Sequence, residues 1–284
     1  MVARVATMND RSSGGAGLPV GSIGSAEPAG DAAAEEGLPF VAPCRRIGMR
    51  APLRWVRLGL RDLRAAPVQS LAYGFGIFLI SVVVSGIGWF QGSGWMLLVL
   101  LSSFIFVAPV LAIGLYAISA QLARGERPSL ARCLREERLH LGDTAVYSLI
   151  LMVICLVWVR AGSGIQIFYP ESGSPTLPEL ITFFTIGSAV GSIFALVAFA
   201  ASAFSLPMLL DRRTDSVTAV VTSINAVLRN KPAMAVWIAL IVAAVAIGFA
   251  TALLGLAVTM PVIGHATWHA YRETIDASAW PAGD

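Results

Sequence analysis

Four stretches of this chain contain no Asp, Glu, Lys or Arg: Ala65–Ala123, Thr144–Val159, Leu180–Leu210 and Pro232–Tyr271. They run 59, 16, 31 and 40 residues and hold just over half of the 284. A bilayer core takes about 20 apolar residues per helix, so these windows correspond to roughly two, one, one and two crossings. The expected fold is all-α, a polytopic membrane protein with six transmembrane helices. Charged residues make up 13% of the chain, against about 25% in an ordinary soluble domain. A soluble enzyme, a disordered chain and a disulfide scaffold are excluded. Cys44, Cys133 and Cys155 are too few and too scattered for a disulfide framework or a zinc cage.

Polar breaks and aromatic flanks divide the windows. Gln91–Gly94 is a Gly-rich turn flanked by Trp89, Phe90 and Trp95, a pattern suited to the membrane–water interface. Helix 1 is therefore expected over Leu71–Phe90, helix 2 over Trp95–Ala120, helix 3 over Ala145–Ala161 and helix 4 over Leu180–Leu209. A single helix from Ala233 to Tyr271 would be about 58 Å long, twice what a bilayer needs. A tight turn is expected near Gly248–Gly255, which makes helices 5 and 6.

Basic residues cluster before helix 1 (Arg45 to Arg64), between helices 2 and 3 (Arg124 to Arg138), between helices 4 and 5 (Arg212 to Lys231) and at Arg272. Gln91–Gly94 and Gly162–Glu179 have none. The excess of positive charge on cytoplasmic loops places both termini in the cytoplasm, with Arg160 expected to snorkel to the outer interface. The basic side chains are 19 Arg and a single Lys231, with abundant Ala and Gly. That bias points to a GC-rich, bacterial coding sequence and hence to the inner membrane. Residues 1–41 are rich in Gly, Ala, Ser and Pro and lack the apolar core of a signal peptide. They are expected to be a disordered tail, with Met49 as an alternative start. The transmembrane domain is expected over residues 42–275 and a C-terminal tail over 276–284.

Each basic loop ends in an amphipathic segment leading into a crossing. In Trp55–Ala66, Arg54, Arg57, Arg61 and Arg64 share one arc opposite Val56, Leu60 and Leu63. Pro128–Leu134 is a weaker version. In the third, Val217, Val220, Val221, Ile224, Val227 and Leu228 form the apolar stripe, with Thr218, Thr222, Asn225 and Arg229 opposite. Such helices lie along the inner headgroup layer. Pro109, Pro207 and Pro261 recur toward the cytoplasmic ends of the even-numbered helices, where proline frees a carbonyl and bends the helix. Three similar units of surface helix and hairpin follow. Gly187, Gly191 and Ala195 form a small-residue stripe suited to close packing with another helix, in the same bundle or in a second copy.

The most distinctive string is Gly264-His-Ala-Thr-Trp-His-Ala-Tyr-Arg272. His265 and His269 share a helix face. An i, i+4 imidazole pair can hold a metal or haem, relay protons, or simply hydrogen-bond neighbouring helices, with Trp268 and Tyr271 as interfacial anchors and Arg272 at the headgroups. No Asp or Glu lies within any charge-free window to complete a metal site or couple an ion pump. Neither H-E-x-x-H nor G-x-S-x-G occurs. Asp211, Arg212 and Arg213 mark where helix 4 leaves the bilayer, either as a solvated turn or as an anionic-lipid headgroup site.

The strings Ser205–Arg212, Val220–Leu228 and Gly264–Arg272, with Trp55–Pro67 and Pro109–Gly125, resemble an uncharacterised family of proteobacterial integral membrane proteins, a domain of unknown function. The resemblance runs over about residues 42–275. It implies six spans in the inner membrane and assigns no catalytic residue, metal or cofactor. The leading expectation is a non-enzymatic scaffold or accessory component of a membrane complex, with membrane lipids and other membrane proteins or a second copy as partners and no nucleic acid. A channel or carrier for a small neutral solute is the second. A haem or metal protein using His265 and His269 is the third.

Overall fold

The computed structural model describes residues 39–90, 109, 111–129, 141–165 and 176–283. Nearly all of the expected tail, the Gln91–Gly94 turn, most of expected helix 2, and Leu130–His140 with Cys133 lie outside the described residues. Proline and capping side chains set most helix starts. Helix α1 (Ala51–Ala65) carries Pro52 in its first turn, and after Ala66 the chain re-enters helix at once with Pro67, opening α2 (Pro67–Phe90). Proline suits a first turn because the N–H it lacks has no helical acceptor there. Helices α3 (Ile113–Ala123) and α4 (Leu141–Ile165) follow. At the start of α5 (Leu177–Ser202), Thr176 and Glu179 form a reciprocal capping box.

Helix 4 is not continuous. It breaks at Ala203–Phe204 and resumes as α6 (Ser205–Asp211). The break falls four residues before Pro207, whose ring excludes the Ala203 carbonyl from an α-helical position. The freed polar groups are recovered locally. Phe204 N donates to Ser223 Oγ (3.1 Å), Ser223 Oγ donates to the Ala200 carbonyl (2.7 Å), and Ser205 Oγ donates to the Ala201 carbonyl. Helix α7 (Ser216–Arg229) starts at Asp215, which accepts from Thr218 N at 2.9 Å. Partial burial raises the Asp215 carboxyl, but hydrogen bonds from Thr218 and the Val217 backbone outweigh it and hold the group below 3.8. Helix α8 (Lys231–Ala250) and helix α9 (Leu256–Thr274) are joined by a turn within the expected Gly248–Gly255 stretch. Ala252 and Leu253 take positive φ there, and Thr251 Oγ1 accepts from Gly255 N.

The chain is an all-α polytopic membrane protein. Among the described residues there is no strand, only isolated antiparallel bridges at Cys44–Ile275 and Arg212–Ala282. Four helical segments are long and apolar enough to cross a bilayer: Pro67–Ile87, Ala145–Gly164, Leu177–Asp211 and Lys231–Ala250. Helices α3, at 11 residues, and α9, with its histidines and Arg272, do not meet that measure alone. Among the described residues, four of the six expected crossings are met by length and apolarity.

Helix α9 is the hub, packing against α1, α2, α3 and α8. Two glycines permit its closest approaches. A Cβ at Gly59 of α1 would stand 2.5 Å from the Val262 carbonyl, and one at Gly74 of α2 would stand 2.1 Å from the Ala257 carbonyl.

The two described amphipathic helices do not turn their aliphatic stripes inward. In α7 the small and hydroxyl-bearing face is buried (Thr218, Ala219, Thr222, Ser223 and Ala226) together with Val220 at its edge, while Val217 and Leu228 are exposed. In α1 the buried line is Trp55, Gly59 and Asp62, and Val56, Leu60 and Leu63 are only half-buried. In lipid, aliphatic side chains gain nothing by turning inward, whereas small residues allow close approach and hydroxyls find partners.

Candidate functional site

Helix α9 supplies both histidines, one turn apart on the face that meets α1, α2 and α3. His265 is fully buried. Its Nδ1 lies 2.8 Å from Ser119 Oγ of α3, and its Nε2 lies 2.9 Å from Ser70 Oγ of α2. Ser119 donates to Asp62 Oδ2 of α1 at 2.8 Å, and His269 Nε2 approaches the same oxygen at 2.8 Å. Donor arithmetic then assigns the protons. The Ser119 hydroxyl has one hydrogen and gives it to Asp62, so His265 Nδ1–H donates to Ser119. His265 Nε2 is left as an acceptor for the Ser70 hydroxyl, and His269 Nε2–H donates to Asp62.

The result is one chain of hydrogen bonds, Ser70–His265–Ser119–Asp62–His269, tying four helices together. Both ring nitrogens of His265 are engaged by serines. Among the described residues no group of three or more His, Cys, Asp or Glu is placed to hold a metal. At the rim, Trp55 Nε1 donates to Glu273 Oε2 at 2.8 Å and Arg54 pairs with the same carboxylate. The network spans one side of α9 from its end to Ser70, which is fully buried.

Asp62 is the residue that sequence reasoning missed. It is the sole acidic residue among the arginines of α1. Its signal was spacing: Trp55, Gly59 and Asp62 fall at i, i+4 and i+7, one face of a helix. Ser70 and Ser119 had no distinguishing signal.

The remaining expected site residues form a second cluster at the end of α9. Tyr271 is buried and its hydroxyl donates to Asp211 Oδ2 at 2.8 Å. Arg272 reaches the same oxygen at 3.2 Å, and Arg212 Nε does so at 3.1 Å. Arg212 also donates to the Trp280 carbonyl at 3.0 Å. Arg213 is held through its backbone N–H, which donates to the Pro281 carbonyl. Trp268 is buried with its ring 5.7 Å from that of Tyr271. Trp268 and Tyr271, expected as interfacial anchors, are both buried, and Tyr271 finds the partner for its hydroxyl in Asp211.

Sequence comparison bears on this second cluster. Residues 96–211 match the model of a family described as Predicted integral membrane protein (DUF2189). The match covers less than half of the chain, and stops short of both histidines and of Asp62. It includes Pro109, Pro207 and Asp211, and describes an integral membrane protein of unknown function. No curated protein and no solved structure matches the chain.

The three prolines do not share one role. Pro261 lies inside α9, Pro207 opens α6, and the Pro109 carbonyl accepts from Ala112 N in a turn before α3. In the small-residue stripe of α5, a Cβ at Gly191 would meet the Trp158 ring of α4 at 3.4 Å. The stripe serves packing within the chain at that position.

Proposed function

We propose that this chain is a non-enzymatic, six-span component of a bacterial inner membrane, with both termini cytoplasmic, that organises or accompanies other membrane proteins. The observation that carries this reading is the Ser70–His265–Ser119–Asp62–His269 network. Its hydrogen bonds run from helix to helix and take up both ring nitrogens of His265, which suits a lock between helices better than a reacting centre. Buried hydrogen-bond networks rigidify the elements they join.

Parity supports six crossings. The Cys44–Ile275 and Arg212–Ala282 bridges bring the segment before α1, the end of α6 and the end of α9 to one side. Asn230, at the start of α8, joins the same layer, donating to the Arg45 carbonyl at 3.0 Å. If α8 crosses, α9 must return. Helices α2, α4 and α5 likewise require a fourth crossing between residues 91 and 123. Arg45, Arg212 and Arg272 lie in this layer, and the positive-inside rule favours it as the cytoplasmic one.

Exposed aliphatic side chains on α2, α4, α5 and α8 are the surface that lipid or partner helices cover. The test is cross-linking in intact membranes followed by purification in mild detergent. A defined membrane partner recovered in constant ratio is the expected result; recovery of the chain alone in repeated preparations sinks the scaffold reading. A haem or metal at His265 would have to displace a serine from one of two short hydrogen bonds. A featureless visible spectrum and a blank metal analysis are expected.

A further inference from the structure

At the end of α9 the two backbone bridges build a polar cavity of about 220 Å³. One bridge holds Arg45 against Asp276, through Arg45 N to the Thr274 carbonyl (2.8 Å) and Asp276 N to the Pro43 carbonyl (2.9 Å). The other straps the C-terminal tail over the end of α6, through Gly283 N to the Asp211 carbonyl (2.9 Å). Three guanidinium groups from three separate segments, Arg45, Arg212 and Arg272, thereby line one cavity with Tyr271, Asp211 and Asp276.

We propose that this cavity binds a phosphodiester monoanion, the chemistry of an anionic phospholipid headgroup. Three arginines against two aspartates leave one net positive charge, which matches a phosphodiester rather than a doubly charged phosphate monoester. Each guanidinium has five N–H donors in a fixed fork suited to phosphate oxygens. Among the described residues, Arg45 contacts only Asp276 with its side chain, Arg272 only Asp211, and Arg212 only Asp211 and the Trp280 carbonyl. Most of their donors are therefore available. The two carboxylates do not close the site to an anion, because each is already held by arginine and by a hydroxyl, Tyr271 on Asp211 and Ser278 on Asp276. The volume falls below the roughly 300–1,000 Å³ of a drug-sized ligand's site, which fits a headgroup without its acyl chains. The apolar segment Leu177–Asp211 ends at this cavity, which places the cavity at the edge of a crossing. The expected trio is thereby revised: Asp211 and Arg212 line the cavity, and Arg45 and Arg272 join Arg212 as the cationic lining in place of Arg213.

The test uses the full chain, delipidated in uncharged detergent, with four probes: phosphatidylglycerol, phosphatidylcholine, glycerophosphoglycerol and inorganic phosphate. Native mass spectrometry and melting temperature are read for each. Phosphatidylglycerol should remain bound and raise the melting temperature, and phosphatidylcholine should not. Arg45→Ala and Arg272→Ala should each weaken retention roughly tenfold. Asp276→Asn should strengthen it, an effect that damage to the fold cannot imitate. If glycerophosphoglycerol or phosphate binds as well as the lipid with the same dependence on Arg45, the site stands but its ligand is soluble. Absence of binding by every phosphate probe, or binding indifferent to Arg45 and Asp276, overturns the proposal.

Discussion

Asp62 and His269 meet at 2.8 Å, with their side chains 12% and 23% exposed, so solvent screens the pair only in part. Removing either partner leaves the other short of a hydrogen bond, and removing Asp62 also strands the Ser119 hydroxyl; such losses cost about 1–3 kcal/mol. Asp62→Ala and His269→Ala should each lower the unfolding temperature in detergent. The double variant should fall short of their sum by roughly 0.5–3 kcal/mol, the range for residues in one network; strict additivity would dissolve the pair. Asp276 gives a dependence on pH. Hydrogen bonds from Ser278, and then Arg45, hold its carboxyl below 3.8 in the folded chain. A carboxyl depressed by folding stabilises above its unfolded value and loses that contribution as pH falls through the folded one. The destabilisation caused by Ser278→Ala should be constant at neutral and mildly acidic pH and shrink as pH drops below 3.8; a constant deficit at all pH would contradict it. At this scale the histidines were legible because they stand apart in a charge-free window. Asp62 was not, because nothing in the sequence marks one acid in a run of arginines apart from a solvated charge.

Helices were legible where apolarity alone decides them, and α2, α4 and α8 cover the expected stretches. Which face turns inward was not, because amphipathicity has opposite consequences in water and in lipid. Helix α7 buries Thr222 and Ser223 and exposes Leu228, the reverse of a soluble helix. The Ala203–Phe204 break was displaced from Pro207 for a related reason: the proline's steric conflict falls one turn earlier, and Ser205 and Ser223 repair it. The α2–α9 crossing tests how far backbone proximity dictates the fold. Gly74 and Gly76 lie on the same helix, but a Cβ at Gly74 would meet the Ala257 carbonyl at 2.1 Å, whereas one at Gly76 would meet nothing within 4 Å. Gly74→Ala should force α2 away from α9 and cost about 1–3 kcal/mol. Gly76→Ala should be neutral or slightly stabilising, since alanine loses less backbone entropy in a helix. Equal effects at the two sites would mean that α2 does not seat on α9 as described.

For the whole molecule, the charge-free windows fixed its material and left the path of its last helix open. Helix α9 reads ambiguously because the feature that makes it the hub, a face carrying two histidines and a tyrosine, is what lowers its apolarity. Tertiary pairing supports a return that hydropathy leaves open. The ends of α6 and α9 are strapped to one layer by Arg213 N to the Pro281 carbonyl and Arg45 N to the Thr274 carbonyl, and α8 starts from that layer through Asn230. A bilayer around α8 then places the Thr251–Gly255 turn on the far side, 30 Å away for 20 residues of helix. The check is labelling of intact cells with a membrane-impermeant maleimide, in a background with Cys44, Cys133 and Cys155 replaced by serine. Leu254→Cys, at the exposed turn, should label from outside. Ser278→Cys, in the tail exposed at the layer of arginines, should label only after the membrane is opened. Labelling of both positions from the same side would mean that α9 never returns across the bilayer, and the parity that supports six crossings would fail with it.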